Sequence, residues 1–241
     1  MAGIHGKGTK LLMDGWPMHD VTNSFDNPAT VDTAETTVFN SSGSKTYVTG
    51  VADATLTAEG FFVSSSSDSS VEDVLHSALP TSGLNVWTYW PQGTSTGNVG
   101  RGMTSIETGY TITSPVDGTI DISVEGQVSD GADRLISLRT LSCGAASTGN
   151  GANLDGGAAS TNGGIGYYQR VTNSTNDFKV IIQHSAVGTT FDNLISFTSG
   201  TGRTAERATV TGTIKRFTRE VHTTTGALGT SIFFNAGLRR K

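Results

Sequence analysis

Gly93-Thr94-Ser95-Thr96-Gly97 has the G-x-S-x-G spacing of a nucleophile elbow, in which a strand turns sharply into a helix and exposes the serine beside an oxyanion hole. That chemistry needs the helix. The residues that follow, Asn98-Val99-Gly100-Arg101-Gly102, carry no helical pattern, and the chain lacks alternating strands and helices, so the stretch reads as a turn. The histidines, His5, His19, His76, His184 and His222, form neither H-x-x-x-H nor H-E-x-x-H. His76 falls beside an apolar helix face and His184 ends a strand, and both are expected to be packed or hydrogen-bonded. Cys143 is the single cysteine, which rules out an intramolecular disulfide and reads as a small buried or half-buried thiol. Gly43-Ser44-Lys45 and Gly6-Lys7-Gly8-Thr9 lack the full spacing of a phosphate-binding loop, and no pair of carboxylates is placed by sequence across a cleft. No catalytic, cofactor-binding or metal-ligating residue is therefore expected, and no cofactor. Trp87, Tyr89 and Trp90 could form a stacking platform for a carbohydrate, against the plainer reading that they are core and interface aromatics.

The elements that would position such groups are short strands. Charged residues make up 15% of the 241, hydrophobic ones 35%, and glycine (31) far outnumbers proline (5). This profile suits many strands joined by turns and excludes a coiled coil or a charge-rich disordered chain. The net charge of −5 gives no electrostatic basis for tight nucleic-acid binding. The N-terminal stretch has no apolar leader core and no apolar run reaches about 18 residues, so synthesis in the cytoplasm without membrane insertion is expected.

Ser70 to Leu79 places Val71, Val74, Leu75, Ala78 and Leu79 on one face, which predicts a helix over 70–79 with Ser70 as N-cap, Asp73 at the third position and Pro80 as the stop. Residues 20–46 show little periodicity and many turn formers, and are expected to be a long arm that reaches a neighbour. Ala54, Leu56 and Ala58 alternate with polar residues through Phe61, and Ile120, Ile122 and Val124 alternate with Asp121, Ser123 and Glu125, the period of half-buried strands. Further strands are predicted at 9–13, 86–90, 103–112, 165–171, 178–184, 191–197, 207–214 and 230–236. The apolar parity flips between Val210/Ile214 and Phe217/Val221, which predicts a β-bulge near Lys215-Arg216. Two β domains are expected, 1–133 with the arm and 134–241.

Two stretches carry a resemblance. Val48 to Phe62, with the helix after it, is similar to the strand and helix of a tube-forming sandwich. Lys179 to Ser185, Phe191 to Phe197 and Thr211 to Arg219 resemble a β module recurrent in phage tail proteins. The chain thus resembles the major tail tube protein of a long-tailed, siphovirus-like bacteriophage with an additional C-terminal β module. The resemblance implies a mainly β, tail-tube-like sandwich or barrel with one flanking α-helix, followed by a second sandwich or jelly-roll-like region. It implies a non-enzymatic virion protein of the tail, self-assembling into stacked hexameric rings through which genomic DNA passes. The strands near 51–63 and 103–126 would line the lumen. Implied partners are further copies of the chain, the terminator, tape measure and distal tail proteins, and viral DNA passing without specific contact, with no membrane. Two other classes fit the composition: a capsid decoration or cement protein, and a carbohydrate-binding jelly-roll module of a virion.

Overall fold

The computed structural model describes residues 6–37, 45–63, 71–79, 83–139 and 148–241. The chain is mainly β. In order, the elements are β1 (Lys10–Met13), β2 (Trp16–Pro17), β3 (Thr22–Asp26), β4 (Ala29–Glu35), β5 (Tyr47–Phe61), α1 (Val71–Ala78), β6 (Asn85–Trp90), β7 (Val99–Thr113), β8 (Asp121–Ser137), β9 (Gly149–Asn150), β10 (Leu154–Asp155), β11 (Gly164–Arg170), β12 (Phe178–Ser185), β13 (Asp192–Ser196), β14 (Thr204–Val210), β15 (Phe217–Thr224) and β16 (Phe234–Arg240). The registered strand pairs are all antiparallel.

Two compact units are present, the first made of Met1–Asp20, Asn85–Met103 and Asp133–Lys241, the second of Val21–Leu84 and Thr104–Ala132. The chain passes from one to the other within β7 and again within β8. The second passage falls at Ala132/Asp133.

The first unit is a β-sandwich. One sheet follows the order β14-β11-β16-β8-β7-β6-β1-β2, and the other runs β10-β15-β12-β13 with β9 paired to β15. Tyr168, Phe234, Ala236 and Leu238 from the first sheet meet Phe178, Val180, Ile182 and Ile195 from the second in a single buried cluster. The opposite face of β11 is covered too, with Ile165 and Tyr167 packed with Val86, Trp90 and Leu135. This is why β11, unlike a half-buried strand, is buried at all seven positions. Asp14 (φ 47°) and Gly15 (φ 80°) turn β1 into β2, and the amide of Gly15 donates to Oε1 of buried Gln169 at 2.7 Å.

In the second unit, β5 pairs with β8 along Thr55–Phe61 on one edge and with β3 and β4 on the other. Ala54, Leu56 and Ala58 are buried, as their alternation predicts, and so are Ile122 and Val124. Ile120 departs from its expected face: it precedes β8 and is 40% exposed. The helix forms at Val71–Ala78, with Leu75 its buried residue; Ser70 and Pro80 lie outside the described residues.

Three expectations change. Residues 20–46 are not structureless where described, because β3 and β4 both form there, using β5 as a template. No bulge marks Lys215-Arg216; β14 and β15 belong to different sheets, and Gly212 (φ 85°) turns the chain between them, so the parity flip is a change of sheet. Register shifts occur instead between Thr22 and Ser24, Val31 and Thr33, and Ile182 and Gln183. The last strand starts at Phe234, four residues later than the pattern at 230 suggests.

Candidate assembly surface

Ser95 is exposed in a turn whose carbonyl accepts from the Asn98 amide at 3.0 Å, with Gly93 at φ 79° and Gly97 at φ 90°. The chain then enters β7, a strand where an elbow requires a helix. His5 and Cys143 lie outside the described residues. His19 is held by the Leu11 carbonyl at 3.0 Å, and burial lowers its pKa. His184 accepts from the Lys215 amide at 3.2 Å, and burial, then the Lys215 charge, lowers its pKa. His76 is exposed on α1. The four described histidines are not brought together, and among the described residues no group of three His, Cys, Asp or Glu side chains could hold a metal ion.

Sequence reasoning misses two buried polar clusters. On β15, Glu220 and His222 share one face through period-two spacing, and Nδ1 of His222 lies 2.8 Å from Oε1 of Glu220. A Cβ added at Gly149 would lie 2.7 Å from the opposite ring nitrogen, so that side of the imidazole is closed by backbone and meets no nucleophile. In the second cluster Asp133, fully buried, accepts from the Tyr167 hydroxyl at 2.8 Å and from Nη1 of Arg239, with Nε of Arg207 at 3.7 Å. Every charge in it has a partner of opposite sign, which is a structural arrangement. The aromatic platform is not offered to solvent either: Trp87 and Trp90 are both in the core, at 1% and 0% exposure. Stacking on a sugar needs a free ring face.

What the surface does offer is a ribbon. From Ala29 to Glu35, β4 is exposed at every position, and so is its partner segment at 45–50 and 52–53. Successive side chains of a strand point to opposite faces, so exposure at these positions means that neither face of the ribbon is covered by the described residues of this chain. Val31, Tyr47 and Val48 stand at 53%, 55% and 53% exposure. The ribbon is held by the β4–β5 pairing, by Thr36 donating its amide to Thr46 at 2.8 Å, and by the Lys45–Glu35 ion pair at 3.0 Å. The other edge of β5 acquires its partner, β8, only from Thr55 onward.

No family model and no curated protein matches the chain. Similar solved structures include chains of a gene transfer agent virion and of phage adsorption and baseplate assemblies. A chain of the virion of a native gene transfer agent particle aligns at a TM-score of 0.45 and 9% identity, over 55% of this chain and 98% of that one. The SPP1 Dit protein, described as a paradigm of the hub adsorption apparatus in phages infecting Gram-positive hosts, aligns at 0.37 and 12% identity, over 97% and 100%. A chain of the phage p2 baseplate in its activated conformation aligns at 0.38 and 8% identity, over 99% of each. With TM-scores below 0.5 these likenesses carry no conclusion about function.

Proposed function

We propose that the chain is a structural, non-enzymatic virion protein of a phage tail, assembling with copies of itself into stacked hexameric rings that form the tube for genomic DNA. The observation that carries this reading is the ribbon of β4 and the first half of β5. A two-stranded ribbon is marginal in water by itself, and this one keeps three large apolar side chains in solvent and, among the described residues, has no strand partner on either outer edge. Such an element gains its stability from a neighbour, through added strand pairing or burial of both faces. The sequence resemblance to a tail tube protein supports a tail tube as the setting of that neighbour. The net charge of −5 is compatible with the role, because a wall without a cationic excess gives passing phosphates no sites to hold.

The test is negative-stain microscopy and light scattering of purified protein over a concentration series. Rings or hollow tubes that grow with concentration are expected. Protein that stays monomeric at the highest soluble concentration, together with tails that lack it, would end the reading; clusters on heads would favour a decoration role.

A further inference from the structure

The first unit carries a cleft of about 350 Å³ between its two sheets' margins, with Ile136, Leu138, Leu154 and Leu238 among its lining. Such a volume is of the size that accepts a few apolar side chains. Its charged lining is entirely cationic. Arg239 is engaged by Asp133, and the guanidinium of Arg240 donates to the carbonyls of Ala158, Ile214, Lys215 and Arg216. Arg134 is exposed and has no charged or hydrogen-bonding partner among the described residues. An apolar floor with an uncommitted guanidinium at its margin selects an occupant that is apolar with a carboxylate beside it.

The second unit presents such a group. The end of β7 and its connection to β8 are exposed at every residue from 111 to 120, and Val116 is exposed to 101% of its reference area. Its tip reads Pro115-Val116-Asp117-Gly118, two apolar side chains followed by an acid, and Asp117 has no partner among the described residues. A fully solvated valine at a loop tip gains nothing for the folded monomer, whereas burying it in an apolar cleft is favourable.

We infer that the Pro115-Val116-Asp117 tip of one copy docks in the Leu154/Leu238 cleft of a second copy, with Asp117 paired to Arg134. The inference rests on the self-assembly proposed above and names one contact through which it occurs. Knob and cleft are different surfaces, so the contact is heterologous and propagates from copy to copy, as ring or filament formation requires.

Charge reversal tests it, since neither residue has a partner whose loss would unfold the monomer. D117R and R134E, each alone, are expected to remain folded by circular dichroism and to need roughly tenfold more protein to assemble at 0.15 M salt. Two further samples are expected to assemble like wild type: the double variant D117R/R134E, and a one-to-one mixture of the single variants, in which each tip finds an opposite charge in the other protein. Replacing Val116 with Asp should impair assembly without rescue by R134E. Single variants that assemble as readily as wild type would overturn the contact while leaving self-assembly standing, as would failure of both the double variant and the mixture. A wild-type protein that never assembles would instead end the reading on which the contact rests.

Discussion

Two buried acids show how neighbours decide what a carboxylate does. Asp133 has Tyr167, Arg207 and Arg239 around it, and burial followed by the Asp133 charge raises the Tyr167 hydroxyl far above the ordinary range. Removing the acid would leave the Arg207 and Arg239 guanidiniums without their counter-charge. Asp133→Ala is expected to cost about 3 kcal/mol in urea unfolding, the lower end for a broken buried pair because Arg239 remains partly hydrated. Glu107 is the opposite case. It is 5% exposed, neither carboxylate oxygen has a hydrogen-bond partner among the described residues, and burial raises its pKa to about 7 from 4.5. The folded state therefore holds a proton that the unfolded state releases between those values. The contribution of Glu107 to stability is full below pH 4.5, falls as pH rises toward 7, and is then constant. Asp14, raised by burial to about 6 from 3.8, acts in the same direction over a lower window. Glu107→Gln keeps the shape without the charge, so the variant should exceed wild type by about 3 kcal/mol at pH 8 and match it near pH 4.5. Parallel urea curves of the two proteins at both pH values would show it, and a constant difference would refute it.

At the scale of elements, α1 and the β3–β5 junction each depend on one residue. Leu75 is the fully buried side chain of α1. Leu75→Ala should cost about 3 kcal/mol by cavity formation and Leu75→Asp should yield insoluble protein, measured as midpoint shift and soluble yield. At Gly60 an added Cβ would lie 2.2 Å from the Val21 carbonyl oxygen, a backbone atom that cannot swing away. Gly60→Ala is expected to detach β3 and raise amide exchange in Thr22–Asp26, with β8 still protected on the other edge of β5. These elements were unequally legible in the sequence. Leu56 and Val124 betray half-buried strands because one face is wet, and Leu75 betrays the helix through its 3.6-residue spacing. β4 escapes the same reading because a ribbon exposed on both faces has no apolar period to detect, and β3 because Phe25 is its single apolar residue. The parity flip before Phe217 was legible as a change but not as a change of sheet, since a bulge and a crossing leave the same mark in a pattern. Glu220 and His222 carry the period-two signal of a shared face, yet nothing in the residues tells whether that face is buried.

For the whole molecule, the question is whether the ribbon serves the fold or the assembly. Its residues with a described burial are exposed, its side-chain contact with β8 is the bond Asp53 accepts from Gln127, and its strand pairing with the rest of the second unit begins where Ala29 faces Ala54. Those two are cross-strand partners, close enough for a two-residue turn to join them. Excising residues 30–53 and inserting Asn-Gly should therefore leave β3, the Thr55–Phe61 half of β5 and the whole first unit intact. Unfolding stability is expected to change by no more than about 0.5 kcal/mol, as for surface changes away from packed groups. Assembly should be lost, because the same excision removes Val31, Tyr47, Val48 and the open edge of β5 together. The two readouts separate the roles. A truncated protein that unfolds would make the ribbon part of the fold, and one that folds and still forms tubes would leave it without the role proposed for it. Folded monomers that cannot polymerise, even when Asp117 and Arg134 are intact, would establish the ribbon as a second contact, separate from the tip and cleft.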